Sequence, residues 1–134
     1  MDLTLTWDGD LRFRAAGQAG AQVLVDGDSK AAISPMESLL VALGSCMGSD
    51  IVDILRKGRA DLTAATLRLS GTRREDPPRR FTAVGLEVTL EGRGLSRSKA
   101  ERAVELSRTT YCSVWNSMAP DIDFRITLDV RETS

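Results

Sequence analysis

The 134-residue chain contains no histidine, and it has only two cysteines. The lack of histidine excludes Ser-His and Cys-His nucleophile pairs and every histidine-based metal site. Two cysteines alone cannot supply the ligands of a thiolate zinc site. Chemistry would have to come from Cys, Asp, Glu, Arg, Lys or Tyr, and we expect no cofactor and no metal. The thiols of Cys46 and Cys112 are the foremost candidates.

Net charge and long apolar runs are also scarce. The formal net charge of −1 gives no electrostatic attraction to nucleic acid or an anionic membrane. No unbroken apolar run approaches the roughly 20 residues of a membrane-spanning helix, and no secretory signal pattern begins the chain. The basic run at 73–80 contains two prolines and predicts a solvated loop. We therefore expect a cytoplasmic protein with reduced thiols and with no nucleic-acid or membrane partner.

Residues 35–57 have the pattern of a long helix. Ser34 fits the N-cap, Pro35 the first helical position, and Glu37 the third position of a capping box. We assign Gly58 to the left-handed position after the helix. Small residues on one side would let another backbone approach closely, so we expect a central helix; they are Ala42, Gly44, Ser45, Gly48 and Ser49.

Apolar alternation and turn signals predict the remaining elements. With 42% apolar residues, the chain is expected to form a single domain over residues 1–134. Residues 15–20 are predicted to form a loop, and a second helix begins near Leu95-Ser96. The fold class is α+β in the order βββ-α-ββ-αα-β, with strands at 3–7, 11–14, 21–25, 62–71, 81–90 and 122–130 and a short helical turn within 112–118.

The surroundings of the two thiols differ. Asp50 and Asp53 follow Cys46 on nearly the same helix face, and carboxylates close to a thiol oppose thiolate formation. A reactive Cys46 would therefore need a cation from another segment. Cys112 lies between Tyr111 and Trp115 in a chain that is only 4% aromatic, and these rings either line an apolar pocket or anchor a short helix, the reading we favour. For each cysteine the alternative is a buried, inert side chain.

Segments 34–40 (SPMESLL), 42–46 (ALGSC) and 111–114 (YCSV), together with the element order, resemble the OsmC/Ohr family. The resemblance covers nearly the whole chain and implies an OsmC-like fold with a long central helix. It also implies an intertwined homodimer with the cysteines near the subunit boundary. The family's better-known members are thiol peroxidases that reduce organic hydroperoxides in oxidative stress defence.

Carried over by position, the resemblance implies that Cys46 is the peroxidatic thiol and Cys112 the resolving one. Cys46 would attack the peroxide and become a sulfenic acid. Cys112 would convert it to a disulfide, which an external dithiol reductant would then reduce. A second thiol of this kind protects the first from over-oxidation.

Two positions depart from the family pattern. The family's peroxidases follow the helix-start proline with a Glu that orients an Arg, but Met36 stands there and Glu37 follows on the opposite helix face. The matching Arg position in the loop 17–20 is Gln18, which can hydrogen-bond a peroxide but carries no charge. Arg14 or Arg12 of the second strand could substitute. Gln18, Glu37 and Arg14 are thus possible supporting residues, and the pocket candidates are Met36, Tyr111 and Trp115.

Three hypotheses follow. The first is a thiol-dependent peroxidase of a divergent branch, acting on organic hydroperoxides. The second is a non-catalytic OsmC-like binding or stress-associated protein with an apolar pocket at the dimer interface and weak or no peroxidase activity. The third is a protein whose two cysteines are only structural. We favour the first, because packing explains two thiols at matching positions less readily than one.

Overall fold

The computed structural model describes residues 1–134 and divides them into two compact parts, residues 1–41 and 42–134. A π-helix at Ser107–Tyr111 and a 3-10 helix at Trp115–Ser117 follow the second α-helix. The predicted order of strands and helices is confirmed. The strands and α-helices are β1 (Thr4–Trp7), β2 (Arg12–Ala16), β3 (Gln22–Asp26), α1 (Pro35–Lys57), β4 (Asp61–Arg73), β5 (Phe81–Arg93), α2 (Arg97–Leu106) and β6 (Asp123–Glu132).

Residues 1–41 form an antiparallel meander in the order β1-β2-β3, followed by the first turns of α1. The predicted capping box begins α1. The Ser34 N–H donates to the Glu37 carboxylate at 3.0 Å, and the Glu37 N–H donates to Ser34 Oγ at 3.1 Å. Two of the unpaired N–H groups at the start of the helix are thereby satisfied reciprocally.

The loop between β3 and α1 is built on a buried carboxylate. Asp26 is 3% exposed and accepts backbone N–H groups from Asp28, Lys30 and Ala31 at 2.9, 3.2 and 2.9 Å. The N–H groups of Ala31 and Asp28 hold the pKa of Asp26 below its usual value. The sequence showed only a turn signal at Asp26-Gly27-Asp28.

Residues 42–134 contain a three-stranded sheet in the order β4-β5-β6. β4 pairs with β5 antiparallel, and β6 pairs with β5 in parallel. The central strand β5 alternates buried and less buried residues from Val84 to Leu90. The core stripe of α1 recurs at helical spacing, and all four of its members are at most 2% exposed: Leu43, Met47, Ile51 and Leu55.

Two glycines let α1 approach β4 closely. A Cβ atom at Gly44 would lie 2.6 Å from Leu69 Cδ1, and one at Gly48 would lie 3.5 Å from Leu67 Cδ2. The element that approaches the small-residue side of α1 is therefore a strand, and it does so through the side chains of Leu69 and Leu67, whereas the expectation was the approach of a backbone. The loop predicted at 73–80 is found at 74–80 between β4 and β5, because Arg73 is the last residue of β4.

Two predicted boundaries were wrong. Gly58 does not take the left-handed position after α1; Arg59 does, with φ 66°. The Ala60 N–H donates to the Leu55 carbonyl at 3.0 Å, which places the reversal one residue later than glycine preference suggests. Ala15 belongs to β2 and is buried, although its small side chain favoured a loop.

By length and composition alone, α1 passes the test for a membrane-crossing helix. Its best 18-residue window has a mean hydropathy of 1.6, and 28% of that window is buried. No unbroken apolar run marks this helix in the sequence, because Asp50 and Asp53 interrupt it. The core helix of a water-soluble protein passes the same test, so this property alone does not place α1 in a membrane.

Candidate functional site at the two cysteines

The fold brings Cys46 and Cys112 together with Asp50. The two sulfur atoms and a carboxylate oxygen of Asp50 all lie within 4.8 Å of one another. Cys46 and Asp50 are one helical turn apart on α1, so they project from the same face. Cys112 comes from the residue immediately after the π-helix. All three residues belong to the part of the chain at 42–134.

A π-helix positions Cys112. The Cys112 N–H donates to the Ser107 carbonyl at 2.8 Å, the five-residue spacing of a π turn. Asn116 then holds the Cys112 carbonyl through its Nδ2 atom at 2.8 Å. The π-helix was not predicted from the sequence. Single π turns are frequent at functional sites.

Cys112 is fully buried. Burial raises the pKa of Cys112 to about 11. The Trp115 N–H, 3.3 Å from the Cys112 sulfur, opposes this rise in pKa, whereas the neighbouring Cys46 sulfur adds to it. Cys46 is less buried than Cys112, so the two thiols differ in accessibility.

Ser107 orients the carboxylate beside the two sulfurs. Its Oγ donates to Asp50 Oδ2 at 2.7 Å, and Ser107 itself is fully buried. The second acidic residue singled out from the sequence does not join this cluster, because Asp53 lies about 10 Å further along the helix axis than Cys46. Asp53 is exposed and pairs with Lys57 at 2.8 Å. Nothing in the sequence singled out Ser107.

Glu37 and Met36 lie in the part at 1–41. Glu37 is exposed, and its carboxylate accepts from the Ser34 N–H at 3.0 Å and from Ser29 Oγ at 3.3 Å. These hydrogen bonds hold the pKa of Glu37 below its usual value, with the Ser34 backbone N–H as the main cause. Met36, which stands where the family's peroxidases have a Glu, is partly buried. The Glu37 carboxylate thus caps the start of α1.

The possible cationic supports also make local contacts. Arg14 pairs with Asp8 at 3.3 Å, and Arg12 pairs with Asp10 at 3.0 Å. Gln18 is exposed in the turn at 17–20. Both arginines are therefore paired with carboxylates near the β1–β2 turn.

Trp115 and Tyr111 have different surroundings. The Trp115 ring packs against Phe124, with ring centroids 4.4 Å apart and planes inclined at 46°. Arg108 lies over the same Phe124 ring at 5.2 Å and donates to the Phe124 carbonyl at 3.0 Å. Tyr111 is 57% exposed. Within residues 42–134, Trp115 anchors the 3-10 helix to β6.

A family model described as "OsmC-like protein" matches residues 26–127 of this chain. That match covers the thiols, Asp50 and Ser107. The chain belongs to the OsmC-like family. Among its relatives is protein YhfA of Escherichia coli strain K12, 42% identical over 115 residues, which are 85% of this chain and 86% of YhfA.

Solved structures of similar fold include proteins from two other bacteria. A hypothetical protein from Aquifex aeolicus VF5 is 27% identical, with a TM-score of 0.90 over 99% of this chain and 97% of that one. An organic hydroperoxide resistance protein OsmC from Legionella pneumophila is 15% identical, with a TM-score of 0.67 over 97% and 98% of the two chains. The second likeness shows the fold alone, and it confirms the α+β architecture.

Proposed function

We propose that this OsmC-like protein reduces organic hydroperoxides through a sulfenic acid and disulfide cycle of Cys46 and Cys112. The observation that carries the proposal is the separation of the two sulfurs, which is at most 4.8 Å. A disulfide bond is about 2.05 Å long, so a modest movement of the two side chains would form it. The name of the Legionella pneumophila relative supports a hydroperoxide substrate and a role in oxidative stress defence.

The burial of the two thiols supports their roles in the cycle. The more accessible Cys46 sulfur attacks the terminal oxygen of the hydroperoxide; the O–O bond breaks and an alcohol leaves with a proton. The Cys112 sulfur then attacks the Cys46 sulfur, the S–O bond breaks, and water leaves with the Cys112 proton. An external dithiol reduces the disulfide and restores both thiols.

A homodimer is part of the proposal. Large apolar side chains of the first part are 41–66% exposed on the single chain, and a second copy would cover them: Leu3, Leu5, Trp7, Leu11, Phe13 and Val23. The family resemblance supports the same arrangement. Cytoplasmic location and reduction by a lipoyl-type or thioredoxin-type dithiol remain proposals.

The test is a chemical map of the oxidised protein. Reduced protein is treated with cumene hydroperoxide, then separately with H₂O₂, and analysed by intact mass and non-reduced peptide mapping. We expect a Cys46–Cys112 bridge with cumene hydroperoxide, and a trapped sulfenic acid at Cys46 in Cys112→Ser. Asp53→Asn is the matched control on α1 and should behave as wild type. If the wild-type protein forms no bridge, the two-cysteine cycle is wrong.

The alternative is a non-catalytic OsmC-like binding protein. The Asp50 carboxylate beside both sulfurs favours it, since negative charge opposes a second negative charge on a thiolate. This alternative predicts slow alkylation of Cys46 and no turnover when cumene hydroperoxide is supplied with a lipoyl-type or thioredoxin-type reductant. Bridge formation followed by steady turnover would reject it.

A further inference from the structure

Three potential metal ligands lie together in one cluster: Cys46, Asp50 and Cys112. The proposed peroxide cycle uses only the two thiols. The sequence offers only two thiolates, and no zinc site was expected from two thiolates alone. The structure adds a carboxylate oxygen at the same point. We propose that Cys46, Asp50 and Cys112 bind one Zn²⁺ ion, with water in the fourth coordination position. The proposal is independent of peroxide turnover.

The distances suit this ion. Zinc binds cysteine sulfur at about 2.3 Å and carboxylate oxygen at about 2.0–2.2 Å, usually with tetrahedral geometry. Ligand atoms of such a site are therefore about 3.5–3.8 Å apart. The three ligand atoms already lie within 4.8 Å of one another, so rotations of the side chains suffice to close the site. Two sulfur ligands select zinc against the hard cations Mg²⁺ and Ca²⁺.

The surrounding groups orient the ligands as the second shell of a metal site does. Ser107 Oγ donates to one oxygen of Asp50, which leaves the other oxygen free to bind the ion. The Trp115 N–H lies 3.3 Å from the Cys112 sulfur and stabilises negative charge there. Ser107 and Cys112 are both fully buried, so this side of the site is shielded from water.

A Zn²⁺ ion would also offset the negative charge of the Asp50 carboxylate and of the two thiolates. Two thiolates and the Asp50 carboxylate within 4.8 Å of one another would repel each other without a cation between them. Zn²⁺ replaces the two thiol protons, so two Zn–S bonds form and two protons are released to solvent. No oxidant or reductant takes part. Because both sulfurs are then occupied, zinc-loaded protein is protected from hydroperoxide.

The first experiment measures zinc affinity. The reduced full-length protein is titrated with ZnSO₄ against a chromophoric chelator. We expect one zinc per chain, and a loss of affinity for Cys46→Ser, Cys112→Ser and Asp50→Asn that exceeds the about 10–100-fold typical of a change outside the ligand set. Asp53→Asn is the matched control and should bind as wild type. Equal affinities for Asp50→Asn and Asp53→Asn, or zinc binding by the double serine variant, would overturn the site.

A second experiment needs no variant and therefore does not depend on variant folding. X-ray absorption of the zinc-loaded wild type should show two sulfur ligands at about 2.3 Å and oxygen ligands at about 2.0–2.2 Å. A spectrum with four sulfurs or none would contradict the proposal. Zinc binding without a peroxide-induced bridge would refute only the peroxidase, and a bridge without zinc binding would refute only the zinc site.

Discussion

The two parts of the chain are stabilised by different means. In residues 1–41 only Ala15 and Asp26 are buried, and the β1–β3 sheet leaves Leu5, Trp7 and Phe13 exposed. In residues 42–134 the apolar stripe of α1, strand β5 and α2 supply the buried core. The first part depends on local hydrogen bonds around Asp26 and Ser34, whereas the second depends on apolar burial.

The candidate reactive groups also lie in only one of the two parts. Both thiols, Asp50 and Ser107 lie in the part with the buried core, where packing holds side chains in fixed positions. The proposed second copy would cover the exposed apolar side chains of the first part. We expect substitutions in the two parts to change stability by different amounts, according to the burial of the side chain. We also expect these changes to depend differently on protein concentration and on pH.

The largest expected loss of stability comes from truncating a buried side chain of the apolar core. Leu43→Ala removes a fully buried side chain and should lower the free energy of unfolding by about 2–5 kcal/mol. Leu5→Ala, at a side chain that is 53% exposed, should cost less than about 0.5 kcal/mol in dilute protein. Urea unfolding of both variants gives the two values. Equal losses in dilute protein would show that the two parts are not stabilised differently.

The same pair tests the proposed dimer. At high protein concentration Leu5→Ala should become more destabilising, since a covered side chain then loses its partner surface. Leu43→Ala should show no such dependence. Concentration-independent unfolding of Leu5→Ala would contradict a second copy at this face.

A smaller effect is expected at the helix cap. Ser34→Ala removes the hydroxyl that accepts the Glu37 N–H, and it should cost about 1 kcal/mol. Ser45→Ala is the control, because its exposed hydroxyl lies within α1 and caps nothing. Thermal unfolding of the two variants measures the difference. A wild-type midpoint for Ser34→Ala would show that the cap does not stabilise the first part.

Alanine substitutions at the two glycines of α1 should change stability differently, because the space around the two Cβ positions differs. Gly48→Ala meets Leu67 at an ordinary contact distance and should raise the unfolding free energy by about 0.5–1 kcal/mol through helix propensity. Gly44→Ala should gain less or lose stability, because its Cβ would lie 2.6 Å from Leu69. Chemical denaturation distinguishes these outcomes. Equal gains would mean that Leu69 rotates away without cost.

In acid, the first part should lose stability through Asp26. Its folded pKa is lowered, so the stabilisation is present above the usual value of 3.8 and is lost as the pH falls through the folded pKa. Wild type should therefore lose thermal stability below about pH 4 more steeply than Asp26→Asn. Asp28→Asn, an exposed neighbour, should follow wild type. Parallel acid profiles for Asp26→Asn and wild type would refute this.

In alkali, the second part should lose stability through Cys112. Its folded pKa is raised from 9.0 to about 11, so the stabilisation is present below pH 9.0 and is lost as the pH rises towards 11. Cys112→Ala should flatten the alkaline side of a thermal stability profile, whereas Ser113→Ala should not. An unchanged slope for Cys112→Ala would show that the buried thiol is not the cause.

The Ser34–Glu37 capping box and the helical spacing from Leu43 to Leu55 are local patterns, and both were predictable from the sequence. Strand alternation likewise predicted β5 and β6. Arg59 was not predictable as the left-handed residue, because glycine preference pointed to Gly58. Nor was the π-helix at Ser107–Tyr111 predictable, because no local pattern in the sequence marks it.

The sequence by itself determined the element order, the OsmC-like family and the two thiols as the chemical groups, because periodicity and motif spacing are local properties. Only the tertiary structure decided that Asp50 and not Asp53 lies beside both sulfurs, and that Ser107 orients it. The physical reason is that Cys46 and Cys112 are carried by separate elements. Their distance, and the groups packed around them, follow from how the core closes and not from their spacing along the chain.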